Sequence, residues 1–269
     1  MNKDPAWIVL TAALSGCGAS SGSATAPDAS PPGVDAGSEA GEGGVPGTVT
    51  VTGSDVQFTN LAKPVPSATI SMGGTSTTAN AMGDWSLVIH ANTPVTQVHD
   101  APGYVQFTNQ EEIFSADTAY GATILVDIPT ANILLQSFRD FDKSLGVLAI
   151  GVTAESACTS TVAGSTITVT AGGKTTHEDA GGGPGLIYFV GGFPSPTATS
   201  VAAGEVPSAI AYNLPVGVDL AVTVSHPKCK QDLFPVTVGP ITYTGKVLAG
   251  AAITSPTKLA TSYITAFLK

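Results

Sequence analysis

The sequence predicts an all-β protein built from sandwich units, and three observations carry that expectation. Valine, threonine, alanine and glycine dominate the chain beyond its first fifty residues, and Val and Thr suit a pleated, half-buried surface. Apolar and polar side chains alternate over short runs, the period of a strand with one face in a core. Gly, Pro, Asn and Asp punctuate these runs, while long helical patterns are nearly absent.

The first element is a leader. "PAWIVLTAALSG", residues 5–16, is an apolar run too short to span a bilayer, which takes about 20 residues. It has the length of a secretory-signal core, about 7–15 residues. Leu14, Ser15, Gly16 and Cys17 resemble a bacterial lipoprotein cleavage box. That resemblance implies a signal peptide over residues 1–16, cleavage before Cys17, and a diacylglyceryl group on the Cys17 thiol. Gly18, in place of an acid, resembles a signal for the outer membrane of a Gram-negative bacterium. Residues 17–46 are almost wholly Gly, Ala, Ser, Pro and acid, with too little apolar surface to offset the entropy of ordering. They are expected to be a disordered tether, about 29 residues past the cysteine, with a span of roughly 30 Å.

Some 220 residues remain, enough for two small units with modest cores. Unit 1 is expected over 47–129. "GTVTVTG" opens it with alternating Val49 and Val51. Ala68, Ile70 and Met72 share one strand face after a Pro-rich turn, and Trp85, Leu87 and Ile89 share another after a turn at Met82-Gly83-Asp84. "APGYVQFT" and the largely apolar "TAYGATILVDI" supply the remaining strands. Taken together, "PVPSATISM", "TTANAMGDWSLVI" and "APGY" resemble the carboxypeptidase regulatory-like, or transthyretin-like, β-sandwich family. The sequence departs from that pattern at Ser67, where the family often has Gly, and at Asn80-Ala81-Met82-Gly83, where an Asp-rich turn is usual. The resemblance implies an Ig-like sandwich without catalytic chemistry of its own.

A connecting helix is expected within 130–144. Thr130 is its candidate N-cap, and Ile133, Leu134, Phe138 and Phe141 form its apolar stripe. Unit 2 is expected over 145–269, as a diverged repeat of unit 1. "LGVLAIGVTA" opens it. Ile167 and Val169 alternate on one strand, Ile210 and Tyr212 on another, and Leu220, Val222 and Val224 follow a turn at residues 213–217. With Cys17 lipidated, Cys158 and Cys229 remain, and an exported compartment favours joining them. Closing a loop of about 70 residues is worth about 4 kcal/mol in the chain-entropy model.

Charge and motifs exclude several functions. Charged residues make up 11% of the chain, the formal net charge is −10, and Arg139 is the sole arginine. No basic stripe exists for nucleic acid, so membrane contact is expected through the lipid anchor alone. Neither a Gly-x-Ser-x-Gly elbow nor a His-Glu-x-x-His helix occurs, and no enzyme activity or cofactor is expected. His177, Glu178 and Asp179 are the candidate metal ligands, although neighbours on a strand point to opposite faces. His99-Asp100 is expected in a turn, and Gln110-Glu111-Glu112 at a solvated edge. His226 and Cys229 make half a metal site, with Cys229 better assigned to the disulfide. Trp85, Tyr104 and Tyr188 are either core residues or a sugar-stacking platform. The expected function is an exported, lipid-anchored, non-catalytic surface binding or structural module that contacts an unidentified protein or glycan. The alternatives are a carbohydrate-binding module, which needs exposed aromatics, and a metal-assisted hydrolase accessory protein.

Overall fold

Period-two alternation becomes strand after strand in the computed structural model, which describes residues 47–142, 144–171, 174–175, 185–248 and 259–269. Cys17, the leader, the tether and the His177, Glu178, Asp179 triplet lie outside the described residues. The first half forms β1 (Thr48–Gln57), β2 (Asn60–Pro64), β3 (Thr69–Met72), β4 (Thr75–Thr78), β5 (Asp84–His90), β6 (Pro94–Asp100), β7 (Gln106–Phe114) and β8 (Thr118–Leu125). β1 pairs antiparallel with β5, from Thr48 against His90 to Ser54 against Asp84, and parallel with β8; β2 folds back on its end. β4, β3, β6 and β7 form the opposing layer. Trp85, Leu87 and Ile89 of β5 point into the interface, with exposed residues between them. They meet Val49, Val51, Ile70, Met72 and Phe114 in a single apolar core.

Asn80 and Ser67 each sit in a turn of defined geometry. Asn80 supplies the turn itself: its side-chain oxygen accepts hydrogen bonds from the Met82 and Asp84 N–H groups, at 2.8 and 3.0 Å. Gly83 completes that turn at φ +78°, where a Cβ would fall 2.5 Å from the Asp55 carbonyl oxygen. Ser67 occupies the left-handed region at φ 62°, which glycine enters at far less cost.

The helix α1 covers Ile128–Leu135, shorter and earlier than the sequence suggests. Its N-cap is Asp127, not Thr130: the Asp127 carboxylate accepts from the Thr130 N–H and from the Thr130 hydroxyl, both at 2.9 Å. Partial burial works to raise the Asp127 pKa, but the hydrogen bonds from Thr130, from the Gln57 side chain and from its own backbone together outweigh it and hold the value below the ordinary one. Pro129 fits because its missing N–H falls in the first turn. Bonds from Gln136 to Ile133, Ser137 to Leu134 and Phe138 to Leu135 tighten the exit, so the stripe is not continuous helix. Ile133 is exposed, and Phe138 packs from the segment beyond the helix. Asp127→Ala is expected to cost about 1 kcal/mol, read as a lower urea midpoint.

The second half forms β9 (Gly146–Ala154), β10 (Thr166–Ala171), β11 (Lys174–Thr175), β12 (Gly185–Val190), β13 (Phe193–Ser195), β14 (Ala209–Leu214), β15 (Leu220–Ser225), β16 (Val236–Val238), β17 (Ile241–Tyr243) and β18 (Ala260–Leu268). β11, β10 and β15 form one layer over a core that includes Ile150, Val169, Tyr188 and Val222. β9, β12 and β14 read as nearly continuous apolar runs because both their faces are covered. Their outer face carries Phe138, stacked on Tyr212 with ring centroids 4.8 Å apart. β18 lies parallel to β7 on one side and to β9 on the other. It joins the halves in a sheet ordered β13-β12-β14-β9-β18-β7-β6-β3-β4, and Ile241 of β17 packs into the first core. The chain is thus an all-β sandwich protein, with two cores sharing one long sheet. No helix among the described residues is long and apolar enough to cross a membrane.

Candidate functional site

The groups with most chemical potential are inside. His99 lies in β6 and not in a turn, and its Nδ1 approaches Oδ1 of Asp55 on β1 at 2.8 Å, with both side chains fully buried. This is pairing distance without hydrogen-bond angles, and Asp55 Oδ2 and His99 Nε2 have no hydrogen-bond partner either. The rings of Trp85 and Phe107 stand edge-on to the imidazole, with centroids at 5.7 and 6.3 Å.

Gln110 and Glu112 do not form a solvated edge; both are buried. Successive side chains of β7 point to opposite faces of the sheet, so part of its polar run must point inward. Pairing with β6 steps from Thr96 against Glu111 to Val98 against Thr108, which places one extra residue in β7. At this bulge β7 changes partner from β18 to β17. Asn109 Nδ2 donates to Gln97 Oε1 at 2.7 Å and to the Tyr120 hydroxyl at 2.9 Å. The Tyr120 hydroxyl in turn donates to Glu112 Oε1 at 2.8 Å. Burial pushes the Glu112 pKa up to about 8, and the hydrogen bond from Tyr120 only partly opposes it. Tyr120 is raised well above its usual value by burial and then by Glu112. Glu111 is partly exposed and lies 3.3 Å from the Lys246 ammonium.

A recess faces solvent on the outer side of the second half. Asn213 lies within β14 and not in a turn, at a bulge between Tyr212 and Leu214 with φ 57°. Its side chain accepts from the Asp142 N–H at 2.8 Å and donates to the Asp140 carbonyl at 3.0 Å. This pins the segment after α1 across the sheet and leaves a cavity of about 150 Å³. Leu186, Ile187 and Tyr212 line it, with Ser137, Arg139 and Thr199 beside them.

The cysteines meet as the sequence suggests. Cys158, after β9, and Cys229, after β15, form a disulfide with Cα atoms 5.5 Å apart. Replacing both by alanine is expected to cost about 2–4 kcal/mol, seen as a lower urea midpoint. His226 sits beside the bridge. Its Nδ1 accepts from the Lys228 and Cys229 N–H groups at 3.2 and 3.0 Å, and its Nε2 lies 3.2 Å from the Ala163 carbonyl oxygen. Trp85 and Tyr188 are core residues, at 4% and 1% exposure, and Tyr104 is half-buried beside α1. These three rings therefore make no sugar-stacking platform.

No family model and no curated protein sequence matches the chain. Solved structures do match over much of its length. The Bacillus anthracis TIE protein is 10% identical, with a TM-score of 0.24 over 81% of this chain and 34% of its own. A streptococcal ancillary pilin is 7% identical, with a TM-score of 0.24 over 82% of this chain and 62% of its own. The minor pilin GBS52 of Streptococcus agalactiae is 9% identical, with a TM-score of 0.21 over 82% of this chain and 96% of its own. The chain thus spans about a third of the first and less than two thirds of the second. At these TM-scores the overlays say nothing of role.

Proposed function

We propose that the chain is an exported, lipid-anchored and non-catalytic surface module that contacts a protein or glycan, tethered through Cys17 to the outer membrane of a Gram-negative envelope. The observation that supports this reading is where the acid–base groups lie. Asp55, His99 and Glu112 are 0–1% exposed within the sandwich, where a substrate does not reach them. The recess beside Arg139 opens to solvent and offers Ser137, Thr199 and Tyr212 as polar contacts for a partner. Residues 1–46 support the anchor, because an apolar leader, a cysteine and a Gly/Ala/Ser/Pro-rich segment follow one another in the order an exported tether requires.

Intact mass of the protein from its native membrane tests the anchor. A chain beginning at Cys17 and carrying diacylglycerol is expected, and Cys17→Ala should release the protein into the soluble fraction. An unmodified chain that keeps Met1 would sink the reading.

A further inference from the structure

We propose that the Cys158–Cys229 bridge has a second state: once reduced, the two thiolates and His226 form a site for one thiophilic divalent cation of the zinc type. The ligand atoms are already gathered. One nitrogen of His226 and the two sulfurs lie within 4.8 Å of one another. Neighbouring ligands on a tetrahedral zinc, with bonds of about 2.0–2.3 Å, stand roughly 3.3–3.8 Å apart. The nitrogen must therefore close by about an ångström, while the sulfurs separate from bonding distance by about twice that. Both cysteines sit in loops past strand ends, and the half-buried His226 and Cys229 lie outside the strand ladders, so the movement falls on them.

The imidazole is set up as a ligand. Two backbone N–H groups point at Nδ1, so the lone pair is there and the proton is on Nε2, facing the Ala163 carbonyl. A metal-binding histidine typically donates its second ring N–H to such a carbonyl, which fixes its tautomer and orientation. Metal binding at Nδ1 exchanges two backbone contacts of 3.0–3.2 Å for one coordinate bond. His226 and Cys229 are half-buried, which leaves a path for the ion and room for water as a fourth ligand. Cys158 is nearly sealed, so one sulfur is anchored in the core.

The chemistry balances with a small dithiol as reductant. Two electrons and two protons pass from the dithiol to the bridge, giving a cyclic disulfide and two protein thiols. Binding of the cation then displaces both thiol protons. Neither the anchor nor the recess takes part in the site, and in the oxidising compartment of the surface reading the bridge is the resting state, so the metal site forms where a small dithiol reaches it.

The test uses the full chain with Cys17→Ser, so that only two thiols remain, titrated with cobalt(II) before and after reduction. The reduced chain is expected to bind one cobalt with a thiolate-to-metal charge-transfer band, and the oxidised chain to show none. His226→Gln, which leaves the bridge intact, should weaken binding tenfold or more. Absence of the band on the reduced chain overturns the proposal, as does a band of equal affinity in His226→Gln. If reduction alone unfolds the chain, zinc must restore the fold; failure to do so is equally fatal.

Discussion

Glu112→Gln is expected to remove the loss of stability that Glu112 imposes on the native chain as pH rises from 5 to 8. The Glu112 carboxyl has an ordinary value of 4.5 and is pushed up to about 8 in the folded state. Between those values the folded protein holds a proton that the unfolded chain releases, so rising pH favours unfolding. The contribution is complete below about 4.5 and is lost progressively as pH rises through about 8. At about 1.4 kcal/mol per unit, the window amounts to something on the order of 5 kcal/mol. Above it the native chain carries a buried carboxylate with one hydrogen bond, from Tyr120, and with Oε2 unpartnered. Glutamine keeps an acceptor for Tyr120 and never ionises, so at pH 8 the variant should be the more stable protein. Tyr120→Phe removes the hydrogen bond that favours the carboxylate and so raises the folded-state value further; its decline should begin at the same pH and continue beyond 8. Urea midpoints at pH 5, 6.5 and 8 decide the matter. A flat native profile, or an equal decline in Glu112→Gln, would show that Glu112 titrates normally.

The sequence announces strands wherever one face meets water and the other a core. Trp85, Leu87 and Ile89 follow that rule, and so do Leu220, Val222 and Val224. It is silent where a strand has neighbours on both edges and burial on both faces. β18 shows the difficulty: Ser262, Ile264, Ala266 and Leu268 are all buried at period two, but Tyr263, Thr265 and Phe267 between them hide the contrast. The polar run in β7 misleads for the opposite reason. Gln110 and Glu112 look solvated, and only the bulge and the flanking strands turn them inward. Phe138 and Phe141 do cover the sheet, as a helical stripe would, yet they do so from a tightened exit that residue spacing does not distinguish from helix. Of the features with chemistry, the disulfide was legible by counting cysteines. The Asp55–His99 pair was not, since its partners are 44 residues apart and belong to opposite layers.

That pair carries the other large effect. Asp55→Ala is expected to destabilise the fold by about 3–5 kcal/mol, because it strands His99 in a sealed pocket between Trp85 and Phe107. The loss is confined to the side chain. The Asp55 N–H still donates to Gly83 and its carbonyl still accepts from Val65, so strand pairing does not depend on the carboxylate. Asp55→Val combined with His99→Phe should cost far less than Asp55→Ala alone, since an apolar pair of similar bulk leaves nothing unpaired. If Asp55→Ala unfolds at the native urea midpoint, the pair contributes nothing, and the buried carboxylate needs another explanation. The double variant has a further consequence. Asp55 is on β1 and His99 on β6, so their contact crosses the sandwich interior and is satisfied at one offset of the layers. Valine and phenylalanine tolerate several offsets with little difference in energy. The double variant is therefore expected to keep most of its stability while the amide resonances of β1, β5 and β6 broaden. Sharp resonances would mean that the surrounding apolar contacts fix the offset without the pair.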